Sequence, residues 1–506
     1  MENQTTDKTD GLIDYEFRLQ NLGSIEEATI KITPMTVFIG PNNSGKSYAA
    51  MAIYAILRAF SRFQQPRPRF YRGPDSSIRV GSKFPRLKTS AVIDQRLTRW
   101  FTRLRRTKRN SKVPKPIIKG IMRQIEINLI RTIENELTRT FASPPNRLIR
   151  SGCDEMVLTV KSHRCSLSIT FAKRASPSII FESEDFNLTA NVYRDEDSDV
   201  AADILMDDAS EDQFEVFVPL YLDDVQDILE RQIQQSLMIE ILRFLVSRDV
   251  MTCWYLPAAR SGILQGYKAL TSRVIEMSPY AGIEEFRIPR FPGVIADLIS
   301  NLMWLPDRKG RLGSIADQFQ KDVLHGSIRR RTTSDELPPD IQFRYRRKTI
   351  PLHRTSSAVS ELVPLLLYLK YVVQPGSLLI IEEPEAHLHP SNQIKLANLI
   401  AILVRQDVQI IVTTHSDFLL ESINTCVRYG FLPKDKLEKM DESGLPYLHT
   451  PEVSAYLFKM PSSTLDTKTM QLGITKDEGI SEEEFAKIRR ELYDEAIGLD
   501  KVLDSV

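Results

Sequence analysis

The sequence predicts an α/β fold built on a parallel sheet, and three observations carry that reading. Short apolar runs rich in β-branched residues recur at Thr36–Ile39, Leu378–Ile381 and Ile410–Thr413, as buried strands of a parallel sheet require. Each run ends abruptly in polar residues: Gly40-Pro41-Asn42-Asn43-Ser44-Gly45-Lys46-Ser47, Glu382-Glu383-Pro384 and His415-Ser416. The first is followed by a helix-forming apolar stretch to Phe60, so strand, glycine loop and helix come in order.

In chain order, residues 14–33 alternate on either side of Asn21-Leu22-Gly23-Ser24 and read as two strands joined by a turn, leading into the strand before the glycine loop. Gly40, four residues and Gly45-Lys46-Ser47 fit the Walker A pattern, whose glycines let successive backbone N–H groups curl around phosphate oxygens. Gly40, Pro41, Asn42, Asn43, Ser44, Gly45, Lys46 and Ser47 are therefore the expected nucleotide loop. Lys46 reaches the β- and γ-phosphates, Ser47 offers its hydroxyl to Mg²⁺, and the following helix points its positive end at the anion. The competing reading is a plain glycine turn, which the flanking strand and helix disfavour.

After Phe60 the character changes. Residues 58–123 hold twenty Lys or Arg against Asp75 and Asp94, a balance of +18, and residues 182–230 hold seventeen Asp or Glu against Arg194, a balance of −16, inside a chain of net charge +1. Such a basic block, including Arg103, Arg105, Arg106, Lys108 and Arg109, either contacts DNA or RNA or pairs with the acidic block. A helix is expected near Ala91, with Trp100, Phe101 and Leu104 on one side. Another is expected over 119–141, where Ile121, Ile125, Leu129, Ile130, Ile133 and Leu137 recur at three and four. Residues 155–192 alternate as antiparallel strands, the acidic stretch to Asp212 is expected as a mobile loop, and Val225–Ser247 as a second long helix. Cys253–Leu256 reads as a short buried strand with Pro257-Ala258-Ala259-Arg260 as its end loop. Residues 262–340 read as helices and two polar loops, one holding Arg329–Arg331, and residues 341–352 as another antiparallel strand.

Glu382 and Glu383 arrive at the end of an apolar strand, as a Walker B does. Glu382 is expected to hold Mg²⁺ through water and Glu383 to orient or deprotonate the attacking water, because phosphoryl transfer needs positioning and charge neutralisation more than covalent chemistry. His415, at the end of the third run, is the expected γ-phosphate contact. The alternatives are a surface acidic turn and a packed core histidine.

The order of these motifs resembles the ABC-type ATPases of the SMC, RecF and OLD group, with LLIIEEPEAHLHP and TTHS most similar to the OLD-like bacterial ATPases often called AAA-type. The resemblance covers residues 15–60 and 250–420. It implies a P-loop ABC-type head with a large α+β insertion between Walker A and a signature segment. It further implies ATP and Mg²⁺ as ligands, hydrolysis, and assembly as a homodimer or higher homo-oligomer in which the signature of one head caps the γ-phosphate held by the other. The matching segment is Thr355–Glu361, with Ser356 and Ser357 as phosphate donors, although Ala358 stands where the family usually has glycine and an ordinary serine N-cap is the alternative. Residues 385–390 resemble the D-loop. Zinc at His387 and His389 is disfavoured for want of a third ligand at sensible spacing. Residues 255–260 resemble a Pro-Ala-x-Arg element, with Arg260 facing phosphate, a partner head or a core carboxylate.

Expected domains are 1–60 and 251–433 as the two parts of the head, 61–250 as the insertion and 434–506 as a tail with an amphipathic helix from Ser481 to Leu503. No Asp-x-Asp follows Ser416, so a Toprim nuclease is not visible. The resemblance implies control of a separate effector, a nuclease or toxin, in anti-phage defence of the PARIS or Septu kind. A RecF- or SMC-like DNA-maintenance ATPase and a nucleotide-dependent scaffold with little turnover are the alternatives. The four scattered cysteines suggest neither zinc ribbon nor disulfides, and no apolar run approaches the ~20 residues of a membrane span, so a cytoplasmic location is expected.

Overall fold

The computed structural model describes residues 15–64, 67–72, 78–83, 96, 99–100, 103, 111–162, 165–183, 188–194, 200–206, 215–216, 252–266, 291–331, 340–460, 467–481 and 490. Its strands in chain order include β1 (Glu16–Leu22), β2 (Ile25–Lys31), β3 (Met35–Ile39), β4 (Glu155–Lys161), β5 (Cys165–Ala172), β6 (Ser178–Ser183) and β7 (Cys253–Leu256). Then come β8 (Ser327–Arg331), β9 (Asp340–Tyr345), β10 (Lys348–Pro351), β11 (Leu378–Glu382), β12 (Gln409–Thr414), β13 (Val453–Lys459) and β14 (Thr467–Gln471). Eleven of them form one sheet in the order β7-β11-β12-β3-β13-β14-β2-β1-β4-β5-β6, while β8, β9 and β10 make a separate antiparallel sheet.

Five adjacent strands, β7, β11, β12, β3 and β13, run parallel. Their side chains alternate between two cores. Phe38, Leu378, Ile380, Ile411, Tyr456 and Phe458 enter one, and Val37, Ile39, Leu379, Ile381, Val412 and Leu457 enter the other. On the first face lies α1 (Lys46–Gln64), whose Ala49, Ala50, Ala52, Ala55 and Ala59 are buried, together with α2 (Lys115–Phe141). The expected stripe of α2 is buried at Ile121, Ile125, Leu129, Ile133 and Leu137. The second face is covered by α4 (Gly313–Leu324), α5 (Ser357–Tyr371), α6 (Pro390–Arg405) and α7 (Asp417–Tyr429), while α3 (Gly293–Met303) reaches both cores through Val294 and Leu298.

Four expectations need correction. The strands of 155–183 do not stand apart as an insertion, because β4 pairs with β1 and continues the eleven-stranded sheet, and α2 shares a core with α1. The stretch from 434 is not only a tail: after α8 (Lys434–Ser443) it supplies β13, which pairs with β3 directly beside the glycine loop. Arg329–Arg331 belong to β8 rather than a loop, since Ile328 and Arg330 face Phe343 and Ile341 across the ladder. The acidic stretch up to Asp212, expected as a loop, contains the strand Val200–Met206, which pairs with Leu188–Arg194. The expected helices over 225–247 and 481–503, and Arg105, Arg106, Lys108 and Arg109, lie outside the described residues, apart from positions 481 and 490.

Candidate nucleotide site

Ladder register brings the candidate groups together. Leu256 pairs with Ile381, Glu382 with Thr413, and Thr414 with Ile39, so the loops after β7, β11, β12 and β3 leave the sheet side by side at its carboxyl edge. Sites in open parallel sheets form at that edge because successive loops converge there.

The glycine loop is shaped as its sequence demands. Gly40 has φ +146°, and a Cβ there would meet the Phe458 carbonyl oxygen at 2.4 Å; Gly45 has φ +89° and abuts Ile25. Lys46 donates from Nζ to the carbonyls of Gly40 (2.8 Å) and Pro41 (2.7 Å) and to Ser44 Oγ (3.3 Å), so the ammonium lies inside the curl. Burial pushes Lys46 down to about 8, with Glu383 and Glu385 acting in the opposite sense. Pro41, Asn42, Asn43 and Ser47 are exposed, and Ser44 is buried.

Glu382 is 7 % exposed; its Oε2 accepts from the Ala258 N–H at 3.0 Å, and its buried Oε1 has no hydrogen-bond partner in the protein. A buried carboxylate oxygen left without a donor is the expected condition of a ligand to Mg²⁺ or its water, and Ser47 adds an exposed hydroxyl, so the donor set fits that ion. Among the described residues no group of three or more His, Cys, Asp or Glu forms a metal cluster.

Glu383 has φ +41°, a conformation costly for any residue with a Cβ and concentrated at functional sites. Its N–H donates to the Thr413 carbonyl at 3.0 Å, and its Oε1 lies 3.4 Å from His415 Nε2. The His415 hydrogen bond, aided by Lys46 and Arg260, holds Glu383 below the usual glutamate range. The third strand end is fixed by a residue that the sequence placed only in the D-loop: Glu385 Oε1 accepts from Thr414 Oγ1 (2.6 Å) and from the His415 N–H (3.0 Å). His389 caps α6, its ring nitrogen accepting from the Ser391 N–H at 3.3 Å.

Ser356 and Ser357 are exposed at the start of α5. Ser356 is the helix N-cap, as the alternative reading had it, accepting from the Val359 N–H at 3.4 Å. Arg260, left open between three partners by the sequence, pairs with the core carboxylate of Glu361 and with the carbonyls of Glu382 and Glu383. The available signal was Glu361 itself, a charge at the head of an otherwise apolar helix, which requires a buried partner.

The sequence matches a family model described as AAA ATPase domain over residues 15–204 and 302–420. No curated protein matches the chain. Solved structures similar to it include the SmcHead bound to the C-winged helix domain of ScpA, at 12% identity over 91% of this chain and 98% of that one, with a TM-score of 0.39. The Smc head domain with an extended coiled coil, bound to the C-terminal domain of ScpA derived from Pyrococcus furiosus, shows 12% identity over 94% and 98%, with a TM-score of 0.36. The SMC head domain from Thermotoga maritima shows 11% identity over 92% and 100%, with a TM-score of 0.30.

Proposed function

Because the chain belongs to the AAA ATPase domain family, we propose that it binds ATP with Mg²⁺ and hydrolyses the γ-phosphate. The observation that carries this reading is the convergence of Lys46, Ser47, Glu382, Glu383 and His415 on the carboxyl edge of β3, β11 and β12. Gly40 to Ser47 cradle the phosphates, Lys46 contributes charge, and Ser47 with Glu382 holds Mg²⁺, which neutralises phosphate charge when bound. Glu383, kept ionised, accepts the proton of the attacking water, and His415 both orients that carboxylate and contacts the γ-phosphate. Glu383→Gln is expected to retain ATP binding and to lower turnover by roughly 10²-fold or more, as loss of a general base does. Unchanged turnover would remove Glu383 from this role.

The same reading has the heads pair, with Ser356 and Ser357 of one chain closing the nucleotide pocket of another. In the OLD-like setting such an assembly regulates a separate nuclease or toxin in anti-phage defence. A gene for a small nuclease beside this one supports that setting, and recombination genes there oppose it.

A second reading, a DNA-maintenance ATPase, is favoured by one observation. Arg329, Arg331, Arg346, Arg347, Lys348 and Arg354 are exposed on β8, the β9–β10 turn and the chain leading into α5, and no ion pair among the described residues neutralises them. If duplex DNA docks there, counterion release makes affinity fall by about 10³-fold or more between 50 and 200 mM salt. A flat salt response excludes that docking.

A further inference from the structure

Arg260 is 1 % exposed, the largest fully buried side chain among the described residues, and begins the helical turn after the β7 loop. Its guanidinium joins three segments. Nε donates to the Glu361 carbonyl at 3.2 Å and lies 3.2 Å from Glu361 Oε2 in the first turns of α5. Nη1 donates to the carbonyls of Glu382 (2.6 Å) and Pro257 (3.1 Å), and Nη2 to that of Glu383 (3.0 Å). The neighbouring Ser261 donates from N (3.1 Å) and Oγ (2.7 Å) to Glu361 Oε1, so one carboxylate is gripped by two consecutive residues.

A buried arginine serving stability alone needs a carboxylate and satisfied donors. Here two of the donors go to the peptide carbonyls of Glu382 and Glu383, and the second of these residues is held at φ +41°. Ala259, on the loop between β7 and Arg260, is also left-handed at φ +54°, and Ala258 holds the Glu382 carboxylate through its N–H. The guanidinium is planar and its donors keep fixed directions, so when the plane follows a shift of Glu361 the donors on its other edge are displaced with it, and with them the carbonyls they hold. Glu361 lies in the first turns of the helix that presents Ser356 and Ser357 outward.

We propose that Arg260 is a positioning residue that couples the exposed start of α5 to the Glu382–Glu383 turn of the same chain. When that start closes on a partner's nucleotide, the displacement of Glu361 is passed through Arg260 to the backbone that aims Glu383 at its own water. Each chain thereby reports the closure of one composite site to the other. The inference rests on the ATPase reading above, and adds to it the link between the two sites.

The test uses the full-length chain with Arg260→Lys, Glu361→Gln and the double variant. For each, binding of a fluorescent ATP analogue, steady-state turnover and thermal unfolding are measured. Lysine keeps the charge but lacks the fork, and glutamine keeps the shape of Glu361 and its contacts with Ser261, so a folded variant is obtained even if one substitution is poorly tolerated. The coupling predicts kcat lower by about 10- to 100-fold in each single variant, in line with a misplacement of about 1 Å at the reacting groups, with nucleotide affinity changed less than about threefold. It also predicts that the double variant is no slower than the slower single one, since both remove the same link. Retained kcat in both single variants, multiplicative losses in the double variant, or binding and turnover falling together with the melting temperature would each overturn the coupling. A wild-type chain that binds but never hydrolyses ATP would instead overturn the ATPase reading on which it rests.

Discussion

In the parallel half of the large sheet, β3, β11 and β12 are buried at every position, whereas in the antiparallel half β5 buries Leu167, Ile169 and Phe171 and leaves the residues between them half-exposed. Parallel strands connected through helices are covered on both faces, and antiparallel strands need covering on only one. The difference has a functional side. The parallel half delivers the carboxyl ends of neighbouring strands to one edge, and Lys46 at the start of α1, Glu382 at the end of β11, and Glu383 and His415 just after their strands all lie at that edge. The antiparallel half braces it, for instance through Ile25, which packs against Gly45.

The largest effect expected from this contrast concerns Phe458 on β13. Its ring is fully buried, 5.2 Å from that of Phe38, and its carbonyl touches the position of Gly40. Phe458→Ala should cost about 3–5 kcal/mol, the usual range for a buried aromatic, and weaken ATP binding as the wall behind the glycine loop gives way. Arg18→Ala, which removes the exposed pair with Glu27 between β1 and β2, should cost no more than about 1 kcal/mol. Chemical denaturation measures both, and a neutral Phe458→Ala would detach β13 from the parallel half.

These same residues show what the sequence made legible. Thr36–Ile39, Leu378–Ile381 and Ile410–Thr413 could be read because an unbroken apolar run followed by a polar break has few other meanings. β13 could not, because Ser454 and Tyr456 interrupt its pattern; both are accommodated by hydrogen bonds to the Lys31 carbonyl, at 3.3 and 3.2 Å, which no local pattern announces. Arg260 was found at its strand end, but its partners lie 101 to 123 positions along the chain, a convergence that only the folded sheet creates. The strand 200–206 read as a loop because the acidic residues flanking it in sequence, Asp195, Glu196, Asp197, Asp199, Asp207 and Asp208, outweigh its own short apolar pattern.

A smaller effect is expected from pH, and it sharpens the assignment of Lys46. Burial lowers this lysine to about 8, so it is a cation below that pH and loses its proton as pH rises through it. Phosphate binding requires the cation. ATP affinity should therefore be level near pH 7 and fall above pH 8 by up to about tenfold per pH unit, the limit for one coupled proton. A level binding curve from pH 7 to 9.5, measured by fluorescent nucleotide titration, would mean that Lys46 does not carry the charge that holds phosphate.

The smallest effect tests whether the parallel edge is sufficient by itself. Lys46 in the glycine loop and Glu383 beside it belong to one chain, yet Ser356 and Ser357 are exposed at the start of α5, and Ser356 spends its hydroxyl on its own helix. If they close a partner's pocket, Lys46→Ala leaves a chain that caps but binds ATP poorly, and Ser357→Arg leaves one that binds but cannot cap. Each alone has two defective sites in a symmetric pair. A mixed pair holds one site with both defects and one with neither, so equal mixing should restore about a quarter of wild-type turnover if the sites act independently, half of the pairs being mixed with one intact site of two, and about 10- to 100-fold less than that if the Arg260 link requires the other site to close. Restoration identifies the parallel edge as half of a shared site. Full activity in either variant alone would make that edge complete in a single chain, and a mixture that stays inactive while the chains remain associated would require both sites to fire together or another segment to act as the cap.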